Sequence, residues 1–194
     1  MDDEIKFLKT QIKDLKKIIE NLMKDKLTGV YNRHYLDEML QEYERKINEK
    51  SYWFYNVYLI DLNNLHEVNR NKGYDKGDEY ILENIDFIKK VLHNNNVSGA
   101  IYRIGGDEFL IITQPYDFIP VEEFKNNSFE IAYAKWDKNK SFKEIIRKLD
   151  SQIIKLKKKY NKIKLCRDCP INNYPELKKV FEKIKKNYQK EINE

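Results

Sequence analysis

Two short strand-forming runs, IYRI and FLII, flank the tetrapeptide GGDE at residues 105–108. A glycine pair between apolar runs is a strong hairpin signal, because only glycine adopts the positive φ angles of the tightest turns without strain. The pattern therefore predicts a β-hairpin that turns at Gly105 and Gly106. It does not account for Asp107 and Glu108, since a plain hairpin would continue with apolar or neutral residues. These two acids are the first candidates for a functional site.

The order of the other predicted elements limits the fold class. Helices and strands do not alternate strictly along the chain, as they would in a parallel α/β sheet. The order instead predicts an α+β fold, in which helices cover a mostly antiparallel sheet. The predicted elements are an N-terminal helix, a helix ending near residue 49, a buried strand ending at Asp61, two helices broken at Gly73, the hairpin, a strand near residues 128–136 and a basic helix over about 141–162.

The N-terminal helix has the most regular apolar pattern in the chain. Isoleucine occupies every a position and leucine every d position of three heptads, namely Ile5, Leu8, Ile12, Leu15, Ile19 and Leu22. This combination favours a parallel two-stranded coiled coil. A helix that packs on its own domain normally shows a broader apolar stripe. The pattern predicts a homodimer that forms through residues 5–22.

Charge and hydropathy limit the location and the partners. The longest apolar stretch, YWFYNVYLI at residues 52–60, is about half the length of a membrane-spanning helix. The N-terminus is acidic and opens a polar helix, unlike a secretory signal. The net charge is +5, and we expect most lysines of the basic helix to lie on its solvent-exposed face. We therefore expect a cytoplasmic protein with neither a membrane nor a nucleic-acid polymer as its partner.

Three acids fall near predicted strand ends. Asp61 ends a buried strand, and Asp107 and Glu108 follow the hairpin turn. If these strands are neighbours, the three carboxylates converge at one edge of the sheet. Oxygen ligands in a small cluster suit Mg²⁺, which shares its site with substrate phosphates. Acids near strand ends are common, so the residues alone indicate a cation site without identifying it.

Motifs in a fixed order connect this pattern to a known family. The segment RIGGDEF at 103–109 resembles the signature of the GGDEF family of diguanylate cyclases. DKLTGVYNR at 25–33 and DLNNLHEVNRNKGYDKGD at 61–78 resemble two further family motifs, and residues 149–162 resemble the last one more faintly. The resemblance covers about residues 25 to 162. It implies a palm-like fold with a ferredoxin-like core, and an enzyme that condenses two GTP into cyclic di-GMP and releases pyrophosphate.

The resemblance also implies the metal and catalytic residues. Asp61, the backbone carbonyl of Leu62 and Asp107 would hold two Mg²⁺ or Mn²⁺ ions per active site, with Glu108 close by. Asp107 would also help to deprotonate the ribose 3′-hydroxyl. The catalytic residues implied are Asp107, Glu108 and Asp61.

The implied substrate residues begin with Asn69 and Asp78, which would read the guanine edge. A carboxylate accepts from N1–H and the exocyclic amine of guanine, whereas adenine offers no matching pair of donors. Gly105 and Gly106 would let the backbone approach the nucleotide. Two basic positions complete the set: Lys157 falls on the phosphate-binding lysine of the family, and His66 stands where the family has a lysine.

The resemblance divides the chain into three parts. Residues 1–24 would be the coiled-coil dimerisation helix, residues 25–163 the catalytic domain, and residues 164–194 a CxxC loop with a helical extension. We expect the cysteines of that loop, Cys166 and Cys169, to be reduced, non-catalytic thiols. Each domain would bind one GTP, so the reaction would need two subunits.

Two alternatives remain open at this point. The domain could be a degenerate, non-catalytic module that binds GTP or protein partners; His66, and Tyr74 in place of a family histidine, favour this reading. A palm-type synthase of another cyclic nucleotide is the second alternative, because Asn69 and Asp78 favour guanine without excluding relaxed selection.

Overall fold

The computed structural model describes residues 2–49, 52–124 and 128–167. These residues form five α-helices, five strands and one short 3-10 helix. In chain order they are α1 (Asp2–Met23), β1 (Tyr31–Asn32), α2 (Arg33–Asn48), β2 (Phe54–Leu62), α3 (Leu65–Lys72), α4 (Tyr74–Asn94), β3 (Gly99–Arg103), β4 (Glu108–Thr113), the 3-10 helix (Val121–Phe124), β5 (Phe129–Asp137) and α5 (Phe142–Arg167).

The strands form one sheet in the order β1-β3-β4-β2-β5. All pairs are antiparallel except β1 with β3. The predicted α+β class with a mostly antiparallel sheet is therefore confirmed. The short strand β1 was not predicted, because two residues carry no periodicity that sequence analysis can detect.

The sheet has a hydrophobic core on each face. Alternate residues of a strand point to opposite faces, so Tyr58 and Ile60 of β2 pack with α4, whereas Val57 and Leu59 pack with α2 and the start of α5. Eight of the nine residues of β2 are buried for this reason. The interior strand β2, between β4 and β5, thus carries Asp61 to the end of a well-packed element.

The predicted hairpin is present, but the prediction that Gly105 and Gly106 adopt positive φ angles was wrong. Neither Gly105 nor Gly106 has a positive φ; the described glycines that do are Gly29 and Gly73. The connection between β3 and β4 has four residues, and the N–H of Ile104 donates to the carbonyl of Glu108 at 2.9 Å. A loop of this length does not need the mirror-image turn of a two-residue hairpin.

The N-terminal helix α1 is exposed to solvent along residues 4–22. Its six heptad residues are 44% to 67% exposed. The side-chain amide of Asn32 donates to the carbonyls of Leu22 and Lys24, at 2.6 and 3.3 Å, and its oxygen accepts from the N–H of Tyr35 at the start of α2. One side chain therefore joins the end of α1 to the globular domain.

The chain divides into two compact units, Met1–Ile153 and Ile154–Glu194. In the second unit the described part is the end of α5, which continues to Arg167 and so runs beyond the predicted end near residue 162. Cys169 and the predicted final helix lie outside the described residues. Among the described helices, none is both long and apolar enough to cross a membrane.

Candidate active site

The predicted acids meet where β2 ends and β4 begins. Asp61 and Glu108 are directly opposite each other in the antiparallel pair. Asp107 precedes Glu108, and its backbone carbonyl accepts from the N–H of Leu62 at 2.9 Å. Asp61 is 9% exposed, whereas Asp107 and Glu108 are half-buried. The structure thus brings together the acids of two motifs that lie far apart in sequence.

The loop that carries these acids is held from several directions. Arg103 donates from Nη2 and Nε to the carbonyl of Gly106, at 2.7 and 3.3 Å, and from Nη1 to Oδ1 of Asp25 at 3.1 Å. The N–H groups of Ile104 and Gly105 both donate to the carbonyl of Glu108. A Cβ added to Gly105 would lie 2.8 Å from Oε2 of Glu108. A side chain at position 105 would therefore have to displace the side chain of Glu108, whereas the backbone conformation, which has no positive φ, does not require glycine there.

The carboxylate of Asp25 accepts hydrogen bonds from both Thr28 and Arg103. Burial by itself would raise the pKa of its carboxyl, but hydrogen bonds from Thr28 and from Arg103 outweigh burial and lower the pKa below its ordinary value of 3.8. The N–H and the hydroxyl of Thr28 reach Oδ1 of Asp25 at 2.9 and 2.6 Å. Asp25 lies two residues after the end of α1. Its carboxylate therefore connects the end of that helix to the acidic loop, residues 104–107 between β3 and β4.

The donor chemistry of the site fits a hard divalent cation. Mg²⁺ usually takes one or two carboxylates and completes its shell with water and substrate phosphates. Asp61, the carbonyl of Leu62 and Asp107 are oxygen donors of this kind. Among the described residues no group of three His, Cys, Asp or Glu side chains forms a metal cluster by itself.

The two residues assigned to guanine lie on adjoining helices. Asn69 is on α3 and half-buried, and Asp78 is on α4 and exposed. Gly73 separates these helices, and its φ of +87° lets the chain leave one helix and enter the next. The predicted break at Gly73 is confirmed.

The remaining predicted residues are on different elements. Gly106 is exposed, and an added Cβ would meet nothing within 4 Å, so space is open beside its backbone. His66 is exposed in the first turn of α3. Lys157 is on α5, in the second unit, and its assignment to a phosphate stays a prediction.

Several residues around the site were not predicted from the sequence. Asp25 and Thr28 are spaced as in a side-chain capping turn, a signal that was available in the motif DKLTG. Glu130 is opposite Asp61 on β5, so Asp61 has an acidic neighbour on both adjacent strands. The hydroxyl of Tyr80 lies 2.9 Å from the carbonyls of Asn63 and Ser128, next to the end of β2. The roles of Glu130 and Tyr80 depend on strand register and helix packing, which local patterns do not reveal.

Comparison with known proteins shows the family of the chain. Residues 22–118 match the family described as "Diguanylate cyclase, GGDEF domain". An uncharacterized protein of Bacillus subtilis, YtrP, is 35% identical over 117 residues, which are 60% of this chain and 18% of that protein. Diguanylate cyclase DgcS of Shewanella oneidensis is 33% identical over 92 residues, 47% of this chain and 30% of that protein. The chain thus spans less than a third of the length of these relatives.

Solved structures share the fold at low sequence identity. The coiled coil and GGDEF domain of DgcB from Caulobacter crescentus, in complex with c-di-GMP, superimposes with a TM-score of 0.68 at 16% identity and covers 81% of this chain and 92% of that one. Diguanylate cyclase SiaD from Pseudomonas aeruginosa, in complex with its activator SiaC, gives a TM-score of 0.64 at 18% identity over 81% of this chain and 67% of that one. These similarities confirm the palm-like fold.

Proposed function

The chain belongs to the GGDEF-domain family, and from this premise we propose that it is a diguanylate cyclase that condenses two GTP into cyclic di-GMP. Family membership supports cyclic di-GMP synthesis in general. The specific proposal for this chain is catalysis by a dimer with two metal-dependent half-sites, in the cytoplasm. Its separate domains would be residues 1–24, 25–163 and 164–194.

One observation carries the proposal. The acid of the motif at 61–78 and the acids of the motif at 103–109 end on paired strands, with Asp61 opposite Glu108 and Leu62 hydrogen-bonded to Asp107. A domain that needed only a hairpin would not place carboxylates side by side, because like charges directly opposite each other destabilise a sheet. Their grouping at the end of a rigid strand is expected if they bind a cation and its phosphate ligand.

The chemistry is a nucleotidyl transfer at the α-phosphate. The ribose 3′-oxygen of one GTP attacks the α-phosphorus of the other, the bond to the β-phosphate breaks, and pyrophosphate leaves. Asp107 would accept the proton of the 3′-hydroxyl. Two such transfers consume two GTP, release two pyrophosphates and close the ring of cyclic di-GMP.

Asp61, Asp107 and the carbonyl of Leu62 would hold two Mg²⁺ or Mn²⁺ ions. Bound there, the ions supply charge neutralisation at the phosphates and lower the pKa of the attacking hydroxyl. The protein contributes a fixed geometry, since the acidic loop is held by Arg103 and by the N–H of Leu62. Lys157 and His66 would contact the phosphates.

Guanine would be read between α3 and α4. The exposed carboxylate of Asp78 can accept from two adjacent guanine donors, and the amide of Asn69 can supply a donor and an acceptor. Asn69 lies in the C-terminal half of α3 and Asp78 in the second turn of α4, and Gly73 joins the two helices. A base without the matching donors would leave a polar group unpaired, which costs about 1–3 kcal/mol.

Dimerisation through α1 would bring the two half-sites together. The heptad residues of α1 are exposed along the whole helix, and an exposed apolar seam of this kind is stabilised by a second helix. In a parallel pair, Glu4 at a g position would face Lys9 at an e position of the second copy, an attractive pair. An antiparallel pair would instead bring the e-position lysines of the two copies together. The charges therefore favour the parallel arrangement.

One observation favours the second candidate function, a non-catalytic module that binds GTP. His66 is exposed on α3 in the place of a family lysine, and an imidazole is a weaker phosphate partner than the ammonium of lysine. Such a module would bind GTP without turnover. A synthase of another cyclic nucleotide would be distinguished by its substrate.

Incubation of the purified chain with Mg²⁺ or Mn²⁺ and each nucleoside triphosphate, followed by mass spectrometry, tests the proposal. Cyclic di-GMP from GTP alone is the expected result. Binding of GTP without any cyclic product, in a folded dimer, would replace the enzyme with the binding module. A product from another nucleotide would identify the other synthase.

A further inference from the structure

Gly77 lies in the first two turns of α4, directly before Asp78, and is buried. The side chain of Asn69, from α3, occupies the space beside it. A Cβ added to Gly77 would lie 1.7 Å from Oδ1, 2.9 Å from Cγ and 3.5 Å from Nδ2 of Asn69. All three of the nearest atoms belong to one amide group. Because Gly77 has no side chain, the amide of Asn69 occupies the space that a Cβ at position 77 would fill.

A glycine in a helix interior normally destabilises the helix relative to alanine. Gly77 is not among the described glycines with a positive φ, so backbone conformation does not require it. A packing reason is then needed for glycine at this position. The contact with Asn69 supplies that reason.

We propose that Gly77 is a positioning residue for base selection, because it allows the amide of Asn69 to lie against α4 beside Asp78. This inference rests on the proposed function, in which Asn69 and Asp78 read guanine. It adds a determinant that touches neither the base nor the metal. Any side chain at position 77 displaces the amide and thereby changes the preference for guanine.

The physical consequence of a substitution is specific. The atoms that a new Cβ would meet are the end of a rotatable side chain and not backbone. The helix therefore accepts alanine at position 77 by turning Asn69 away, and the fold is retained. Alanine also has the higher helix propensity. We thus expect Gly77→Ala to keep or raise the thermal midpoint of unfolding while it moves the amide out of place.

Calorimetric titration of the full chain with GTP and with ATP, in the presence of Mg²⁺, measures the effect. Gly77→Ala should weaken GTP binding about tenfold, the effect of one lost hydrogen bond, and leave ATP binding unchanged. In turnover, KM for GTP should rise while kcat is retained, because the metal site is unaltered. Glu83→Ala, which adds an alanine to the exposed face of the same helix, is the control and should change neither affinity.

A double-mutant cycle isolates the contact. In an Asn69→Ala background the three atoms that a Gly77 side chain would meet are absent, so adding Gly77→Ala should have no further effect on GTP binding. Equal and additive losses from the two substitutions would overturn the inference. So would a loss of GTP and ATP binding together with a lower thermal midpoint, since that indicates a role in folding.

The remaining outcomes separate the inference from the function on which it rests. If the wild-type chain prefers GTP over ATP and Gly77→Ala retains that preference in full, the inference alone is overturned. If the wild-type chain shows no preference for GTP over ATP, the proposed guanine recognition fails, and the inference fails with it.

Discussion

Arg103 donates a hydrogen bond from Nη1 to Oδ1 of Asp25 at 3.1 Å, across 78 residues of chain. The same guanidinium holds the carbonyl of Gly106 through Nη2 at 2.7 Å. Both partners of the ion pair are largely buried, with side chains 15% and 22% exposed. This one side chain therefore joins the segment that follows α1 to the loop that carries the candidate catalytic acids.

Replacement of Arg103 by lysine should reduce turnover more than it reduces stability. Lysine keeps the charge but cannot donate in two fixed directions to Asp25 and Gly106. We expect kcat to fall roughly 10- to 100-fold, the usual cost of a catalytic group displaced by about 1 Å. Steady-state kinetics of cyclic di-GMP formation and thermal unfolding check this expectation.

Arg45→Lys is the matched control for this variant. Arg45 is paired with Glu42 and Glu49 on the exposed face of α2, and its replacement should leave kcat unchanged. Equal kcat values for Arg103→Lys and the wild-type chain would contradict the assigned role of Arg103.

The pH dependence of stability should report Asp25. Its pKa is lowered in the folded chain, so the ionised form stabilises the fold above the ordinary value of 3.8 and this contribution is lost as the pH falls through the lower, folded pKa. Asp25→Asn should cost about 1 kcal/mol of unfolding free energy at pH 7, the difference between a charged and a neutral hydrogen-bond acceptor. The cost should disappear in acid.

Urea unfolding of the wild-type chain and Asp25→Asn between pH 7 and pH 3 measures this difference. Other carboxylates with lowered pKa values, such as Glu144, contribute equally to both proteins and cancel in the comparison. A difference that stays constant over the whole range would show that ionisation of Asp25 is not involved.

Asp107→Asn should abolish product formation while the fold is retained. The amide occupies the same volume but neither accepts a proton nor binds a divalent cation strongly. Chelation of divalent ions with EDTA should have the same effect on the wild-type chain, and Mg²⁺ or Mn²⁺ should restore turnover. Glu122→Gln, at an exposed position of the 3-10 helix, controls for the loss of one negative charge. Undiminished turnover by Asp107→Asn would refute the assigned site.

Leu15→Glu in the centre of the α1 seam should weaken the dimer and make turnover depend on protein concentration. A charge at a d position is buried in the coiled coil and repels its copy in the second helix. Thr10→Glu, at the outer f position of the same heptads, should leave the dimer intact. Analytical ultracentrifugation measures the dimer fraction, and activity is measured at the same protein concentrations. A monomeric variant with full activity at every concentration would rule out the dimer requirement.

Much of the fold was predictable because its signals are local. The helices α1, α2 and α4 have clear periodicity, and β2 and β4 are apolar runs. Gly73 interrupts the helical segment that forms α3 and α4. The candidate catalytic acids could be located because they lie next to those signals in recognisable motifs, and their catalytic role stays a prediction. The φ angles of Gly105 and Gly106 were predicted wrongly, since a hairpin signal does not specify the length of the turn.

The sequence by itself determined the family, the order of helices and strands, and the acids that could hold a metal. Only the tertiary structure decided that Asp61 faces Glu108, that Arg103 reaches Asp25, and that Gly77 makes room for Asn69. Each of these pairs depends on which elements become neighbours and in which register. Strand register and helix packing are set by the complementary filling of two cores around β2, and no local run of residues contains that information.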